Sequence, residues 1–97
     1  MTVVCIKGTW KDHYTLTETY KISNIGDIGA LNATATASVS TANDGVVCLT
    51  SLPLLVGDVG PGQAIQFNLD YYVPDNVSTL HLKTTVCAQD QCGEVYF

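Results

Sequence analysis

Arginine is missing from these 97 residues, and lysine occurs only at Lys7, Lys11, Lys21 and Lys83. Nucleic-acid binding draws its affinity from cationic contacts to phosphate, so four lysines in a chain of formal net charge −5 speak against it. The same acidic balance is repelled by anionic lipid. No apolar run approaches the roughly 20 residues that span a bilayer, so no membrane insertion is expected. No window carries the 3.6-residue periodicity of an amphipathic helix. Catalytic and metal signatures are missing as well. The chain has no G-x-S-x-G elbow, no H-E-x-x-H and no phosphate-cradling glycine loop. Its one methionine is Met1, so a blue-copper site lacks its usual axial ligand. The four cysteines, His13 and His81 do not have finger-like zinc spacing. Asp27, Asp58 and Asp75 are not clustered as a calcium loop requires, and read as solvated turn residues. His13 in a turn beside Asp12, and His81 on an exposed strand face, have no nucleophile placed beside them and read as surface histidines. These readings imply no cofactor, no metal and no enzymatic activity.

What remains is a β-forming sequence, sparse in charge and rich in threonine and aliphatic residues. The stretch Tyr20–Ser40 organises it. Asn24, Gly26, Asp27 and Gly29 mark a corner, because glycine accepts positive φ and Asn and Asp hydrogen-bond nearby backbone. After the corner, Leu31, Ala33, Ala35, Ala37 and Val39 alternate with Asn32, Thr34, Thr36, Ser38 and Ser40. A period of two predicts a strand buried on one side, and small inward residues imply bulky ones packing from the opposite sheet.

Before that stretch, Thr2 to Thr9 reads as a first strand, of ambiguous face, ending at Trp10, a core or rim residue. Tyr14 to Ser23 reads as the second strand. Tyr14, Leu16, Tyr20 and Ile22 share its apolar face and Thr15, Thr17, Thr19 and Lys21 the other. Glu18 breaks the apolar face, which places it near the sandwich edge or beside a lysine or hydroxyl. Further on, Asn43-Asp44-Gly45 signals a tight turn. Val46 to Thr50 follows as a short strand, then Leu52–Leu55 as an apolar return in which Pro53 favours an edge or a bend. Gly60-Pro61-Gly62 predicts a type II turn. From Ala64 to Val73, Ile65, Phe67, Leu69, Tyr71 and Val73 face inward and Gln66, Asn68, Asp70 and Tyr72 outward. In the last pair, Leu80, Leu82 and Val86 face the core. A four-residue loop Ala88–Gln91 sets Cys87 opposite Cys92, Thr85 opposite Glu94 and Thr84 opposite Val95, which brings Val95 and Phe97 to the core side. The pattern predicts an all-β fold, an antiparallel immunoglobulin-like β-sandwich of about seven strands forming a single domain over residues 1–97, with a closed barrel as the alternative. Strand-like sequence directly after Met1 and up to Phe97 is what a domain cut from a larger protein would show.

Four cysteines in so short a chain suggest an oxidising compartment. The register makes Cys87–Cys92 a cross-strand disulfide. By elimination Cys5 and Cys48 are the candidates for a second bridge, and reduced thiols are the alternative for both pairs. A redox role is disfavoured, since neither spacing is C-x-x-C. Asn32-Ala33-Thr34 and Asn76-Val77-Ser78 are candidate N-glycosylation sequons at Asn32 and Asn76, a tripeptide pattern that also arises by chance.

Three stretches resemble the immunoglobulin-like repeats of prokaryotic surface and secreted proteins of the CARDB (cell-adhesion-related domain in bacteria) and conserved-repeat kind. They are ISNIG from Ile22 to Gly26, ALNATATASV from Ala30, and LVGDVGPGQAIQFNLDY from Leu55 to Tyr71. The chain departs from such repeats in its four cysteines and in the extra segment Cys92–Phe97. The resemblance implies surface display, adhesion or spacing, and carries over no catalytic or binding residue.

The resulting expectation is a non-catalytic extracellular or cell-surface module of a larger protein. Its partners would be neighbouring domains of the same chain, and protein or glycan at the cell surface. The alternative is a carbohydrate-binding accessory domain of a secreted hydrolase, with Tyr72 and Tyr96 as the outward aromatic contacts. Those two rings belong to strands of different sheets, which counts against a shared sugar platform. Addition of a partner strand along an exposed sheet edge is a third reading.

Overall fold

The computed structural model describes residues 1–12, 14–39, 45–77, 80–88 and 91–96. The readings made for His13, for Asn43 and Asp44 of the tight-turn signal, for Ser78 of the second sequon and for Phe97 lie outside the described residues. Eight strands are present among them: β1 (Thr2–Trp10), β2 (Thr15–Ser23), β3 (Ala30–Val39), β4 (Val47–Cys48), β5 (Leu54–Val59), β6 (Ala64–Tyr72), β7 (Leu82–Ala88) and β8 (Gln91–Tyr96). They form two antiparallel four-stranded sheets, β1-β2-β6-β4 and β5-β3-β7-β8. Two separate sheets make a sandwich and not a closed barrel. β1, β2 and β6 face β3, β7 and β8, the arrangement common to immunoglobulin-like domains, while β4 and β5 each cover one sheet edge.

Alternation decides the core. Leu16, Tyr20 and Ile22 of β2, and Phe67, Leu69 and Tyr71 of β6, are buried, as are Leu82, Thr84, Val86 and Ala88 of β7. Ala33 and Ala35 of β3 lie in the same cluster, where their small side chains leave room for Tyr20, Phe67 and Tyr71. Tyr20 and Phe67 stack at 5.3 Å, and the Thr84 hydroxyl donates to the Tyr20 hydroxyl at 3.0 Å, linking the sheets through the core.

Asn24 fixes the corner. It is buried, and its side-chain amide donates to the carbonyls of Ile28 (2.8 Å) and Val59 (2.9 Å) while accepting from Gly26 N–H (3.0 Å). Its backbone N–H donates to Gln63 O, and its carbonyl accepts from Gly62 N–H. That second loop is the expected type II turn. Gln63 N–H donates to Gly60 O, Pro61 takes the first central position, and Gly62 has φ 74°.

Two expectations change, and two open alternatives are decided. Leu31 does not face the core: a bulge between Ala30 and Ala33, with Asn32 at φ 54°, inserts a residue, so Ala30 is buried and Leu31 exposed. Asn tolerates the left-handed region that this requires. Tyr14 precedes β2 and lies in solvent, not on the face of Leu16. Trp10 is 55 % exposed and is therefore a rim residue. The return after Pro53, whose peptide bond with Leu52 is cis, becomes the edge strand β5.

In the final hairpin Cys87 opposes Cys92, Thr85 opposes Glu94 and Thr84 opposes Val95, as the sequence implied. The ladder continues to Ala88 opposite Gln91, so the connection is two residues long and not four, and Gln89 and Asp90 lie outside the described residues. Cys87 and Cys92 form a disulfide with Cα atoms 4.1 Å apart. Beside it, β8 crosses close to β1: a Cβ on Gly93 would stand 2.8 Å from Val3 Cγ2 and 3.1 Å from Met1 O.

Two stability outcomes follow in denaturant titrations. Asn24→Leu removes three side-chain hydrogen bonds and should cost about 2–4 kcal/mol. Gly93→Ala should cost about 1–3 kcal/mol by forcing β1 and β8 apart; a neutral result would show that the crossing is looser than described.

Candidate functional site

Residues paired across antiparallel strands share a sheet face, so the register determines which outward side chains stand side by side. On the outer face of the first sheet the rows are Val4, Lys21 and Gln66; then Lys7, Thr19 and Asn68; then Thr9, Thr17 and Asp70; then Thr15, Tyr72 and Val47. Rows two residues apart along a strand make a strip about 20 Å long.

At one end of the strip the Tyr14 ring stacks on Tyr72, with centroids 5.8 Å apart and planes inclined by 26°. Asp12 Oδ1 accepts the N–H groups of Tyr14 and Thr15 at 2.9 Å, which fixes the start of β2. Tyr14 OH donates to Asp75 Oδ2 at 3.3 Å, and the nearby carboxylate raises the phenol pKa. In the adjacent row the Thr17 hydroxyl donates to Asp70 Oδ1, and the Lys11 ammonium lies 3.6 Å from the same oxygen. Lys7 and Lys21 are exposed, and neither has an ion-pair partner among the described residues.

Tyr96 stands on the other sheet's outer face, in the row of Ser38 and Lys83. Its hydroxyl donates to Glu94 Oε2 at 3.1 Å, and Lys83 Nζ lies 3.3 Å from that oxygen and 5.8 Å from the ring centroid. Tyr72 and Tyr96 are therefore both exposed but are not brought together. Asn32 is exposed at the bulge, its N–H held by Asp58 Oδ1 at 2.9 Å, and Asn76 is exposed in the turn after β6. A groove lined by Asp58, Val59, Gln63, Ala64 and Ile65 lies beside the Gly60–Gln63 turn.

Glu18 departs most from expectation. It is completely buried, not at an edge and not beside a lysine. Gly8 stands opposite it on β1, and a Cβ there would come within 3.1 Å of Glu18 Oε2, so the glycine makes room for the carboxyl group. The Cys5 thiol donates to Oε2 at 3.0 Å, while Oε1 has no hydrogen-bond partner among the described residues. Tyr71 OH, also buried, has none either.

The Cys5–Cys48 bridge does not form. Both are free thiols, on β1 and β4 at opposite edges of the first sheet. Three strand spacings, about 14 Å, separate them, about twice the span a disulfide tolerates. Burial pushes the Cys5 thiol up to about 11, with Glu18 adding to the shift, and burial also raises Cys48. Neither is an activated nucleophile. Among the described residues no group of three or more His, Cys, Asp or Glu could hold a metal ion, and no helix is long and apolar enough to cross a membrane.

Sequence reasoning placed Lys21 and Tyr72 outward correctly. It missed Lys7, because the bulge between Cys5 and Lys7 shifts the phase of β1, and it missed Tyr14 because alternation does not extend past the end of a strand. No protein-family model, curated protein or solved structure matches the chain.

The thiol pKa has a measurable sign. Cys5 holds its proton more tightly when folded, so its contribution to stability is present below pH 9 and is lost as the pH rises toward 11. At pH 8 its alkylation in the folded protein should be slowed about a hundredfold relative to the denatured chain, from the thiolate fraction alone. Equal rates in the two states would refute the raised pKa.

Proposed function

We propose that the chain is a non-catalytic immunoglobulin-like module that spaces, displays or adheres within a larger extracellular or cell-surface protein, with neighbouring domains as its first partners. The direction of its outer strands carries the reading. Gly93 of β8 stands beside Val3 of β1, and further along both strands Tyr20, opposite Cys5, is bonded to Thr84, opposite Val95. β1 and β8 therefore run the same way along a molecule measuring 45 × 24 × 19 Å. Modules of this polarity can be joined end to end without the chain doubling back. The Cys87–Cys92 disulfide supports an oxidising compartment, as do exposed asparagines in both sequons. The resemblance of ISNIG, ALNATATASV and LVGDVGPGQAIQFNLDY to CARDB-like repeats agrees with this reading.

The exposed Tyr14–Tyr72 pair favours a second reading, a carbohydrate-binding accessory module, with the sugar held on the first sheet alone. Tyr96, on the far face, would take no part in that contact.

Joining two copies head to tail tests the spacer reading. Small-angle scattering should give a maximum dimension close to twice the 45 Å long axis, whereas collapse into a side-by-side pair would overturn it. Mass spectrometry of unreduced protein secreted from an oxidising compartment should find the Cys87–Cys92 bridge with Cys5 and Cys48 as thiols; four thiols would contradict the compartment.

A further inference from the structure

We infer that the outer face of the first sheet binds a linear acidic polysaccharide carrying uronate carboxylates, which lies along the strands from the Tyr14–Tyr72 pair toward Lys21. This rests on the carbohydrate-binding reading and specifies its ligand. Two of the four lysines in this acidic chain, Lys7 and Lys21, lie in the four rows against one carboxylate, Asp70, while Lys11, Asp12 and Asp75 stand at the rim. Lys11 is engaged with Asp70. Lys7 and Lys21 have no ion-pair partner among the described residues, and they sit diagonally across the β1–β2 ladder, Lys7 opposite Thr19 and Lys21 two residues further along. Diagonal neighbours stand about 7–8 Å apart, close enough to serve successive charges on one polymer.

Side chains between and beside the cations suit a sugar. Gln66 and Asn68 present amides in the same rows as Lys21 and Lys7, and Thr19 adds a hydroxyl that can donate or accept. The tyrosine pair closes the strip with an apolar ring surface against which the C–H face of a pyranose can pack. Charge density selects the uronate. Two uncommitted ammonium groups about 7–8 Å apart match at most one charge per sugar, whereas a densely sulfated chain would meet the acidic remainder of the molecule. Lysine on an edge strand also discourages edge-to-edge pairing of β1, and a binding measurement separates that role from ligand recognition.

The test is titration of the intact chain with polygalacturonate, a neutral β-glucan and a heavily sulfated glycan, at low and at raised ionic strength. Polygalacturonate should bind, and more weakly as salt screens the contacts. The Lys7→Ala/Lys21→Ala double variant should raise its Kd about tenfold, given the modest worth of exposed ion pairs. Tyr72→Ala should also weaken binding, while Lys83→Ala on the far face should not. Thermal melting confirms that each variant is folded. If the neutral glucan binds equally well and the double variant is unaffected, the acidic ligand is wrong and the carbohydrate reading stands. If the sulfated glycan binds as well as or better than polygalacturonate, the uronate assignment fails. If none of the three binds, both readings fall.

Discussion

The side-chain amide of Asn24 holds the architecture at its most demanding point. A chain that leaves one sheet and starts the facing one must turn through a buried corner, where backbone groups lose water and need other partners. Asn24 supplies three of them from one side chain and adds two backbone bonds to the Gly60–Gln63 turn. The β2–β3 corner and the turn before β6 are thereby fastened to each other. β2 and β6, the two inner strands of the first sheet, meet along nine registered pairs from Thr15–Tyr72 to Ser23–Ala64, and their common end is the end that Asn24 ties. A hydrophobic residue could fill the same volume without satisfying those carbonyls.

Away from the corner, the core divides its work unequally. The first sheet contributes bulk through Tyr20, Phe67, Tyr71 and Leu69, while β3 of the second contributes small side chains. The large phenols bring polar atoms to the centre, and Thr84 answers one of them. Glu18 and Cys5 extend this polar interior to the edge strand, where Gly8 leaves space for the carboxyl group. The half-buried thiol and the buried carboxyl group belong to packing, and the chemistry open to solvent lies on the outer faces.

Much of this architecture was legible in the sequence because alternation is a strong signal wherever a strand has one wet face. The register of β7 and β8 followed from two cysteines and two apolar residues, and β6 and the type II turn followed from alternation and from Pro61-Gly62. Errors fell where the period slips. The bulge at Asn32 moved Leu31 to solvent, and the bulge before Lys7 hid the face of β1. Glu18 was read as lying near the sandwich edge or beside a lysine or hydroxyl, because a lone carboxyl group on an apolar face gives no hint of a glycine across the ladder. The cysteine elimination failed for a different reason: counting cannot tell that β1 and β4 lie on opposite edges. The candidate face was only half visible, since Tyr72 and Lys21 lie on regular strands whereas Lys7 and Tyr14 depend on a bulge and a strand end.

The shared direction of β1 and β8 has a mechanical meaning. Tension applied outward at the start of β1 and at the end of β8 acts along both strands, so the β1–β2 and β7–β8 ladders are loaded in shear. In shear every hydrogen bond of a ladder shares the force at once, whereas in peeling the bonds break one at a time. The Cys87–Cys92 bridge adds a covalent tie between β7 and β8 at the end away from the pull, so β8 cannot slide free of its neighbour. Under load, resistance then rests on β1, whose grip is the eight registered pairs it makes with β2.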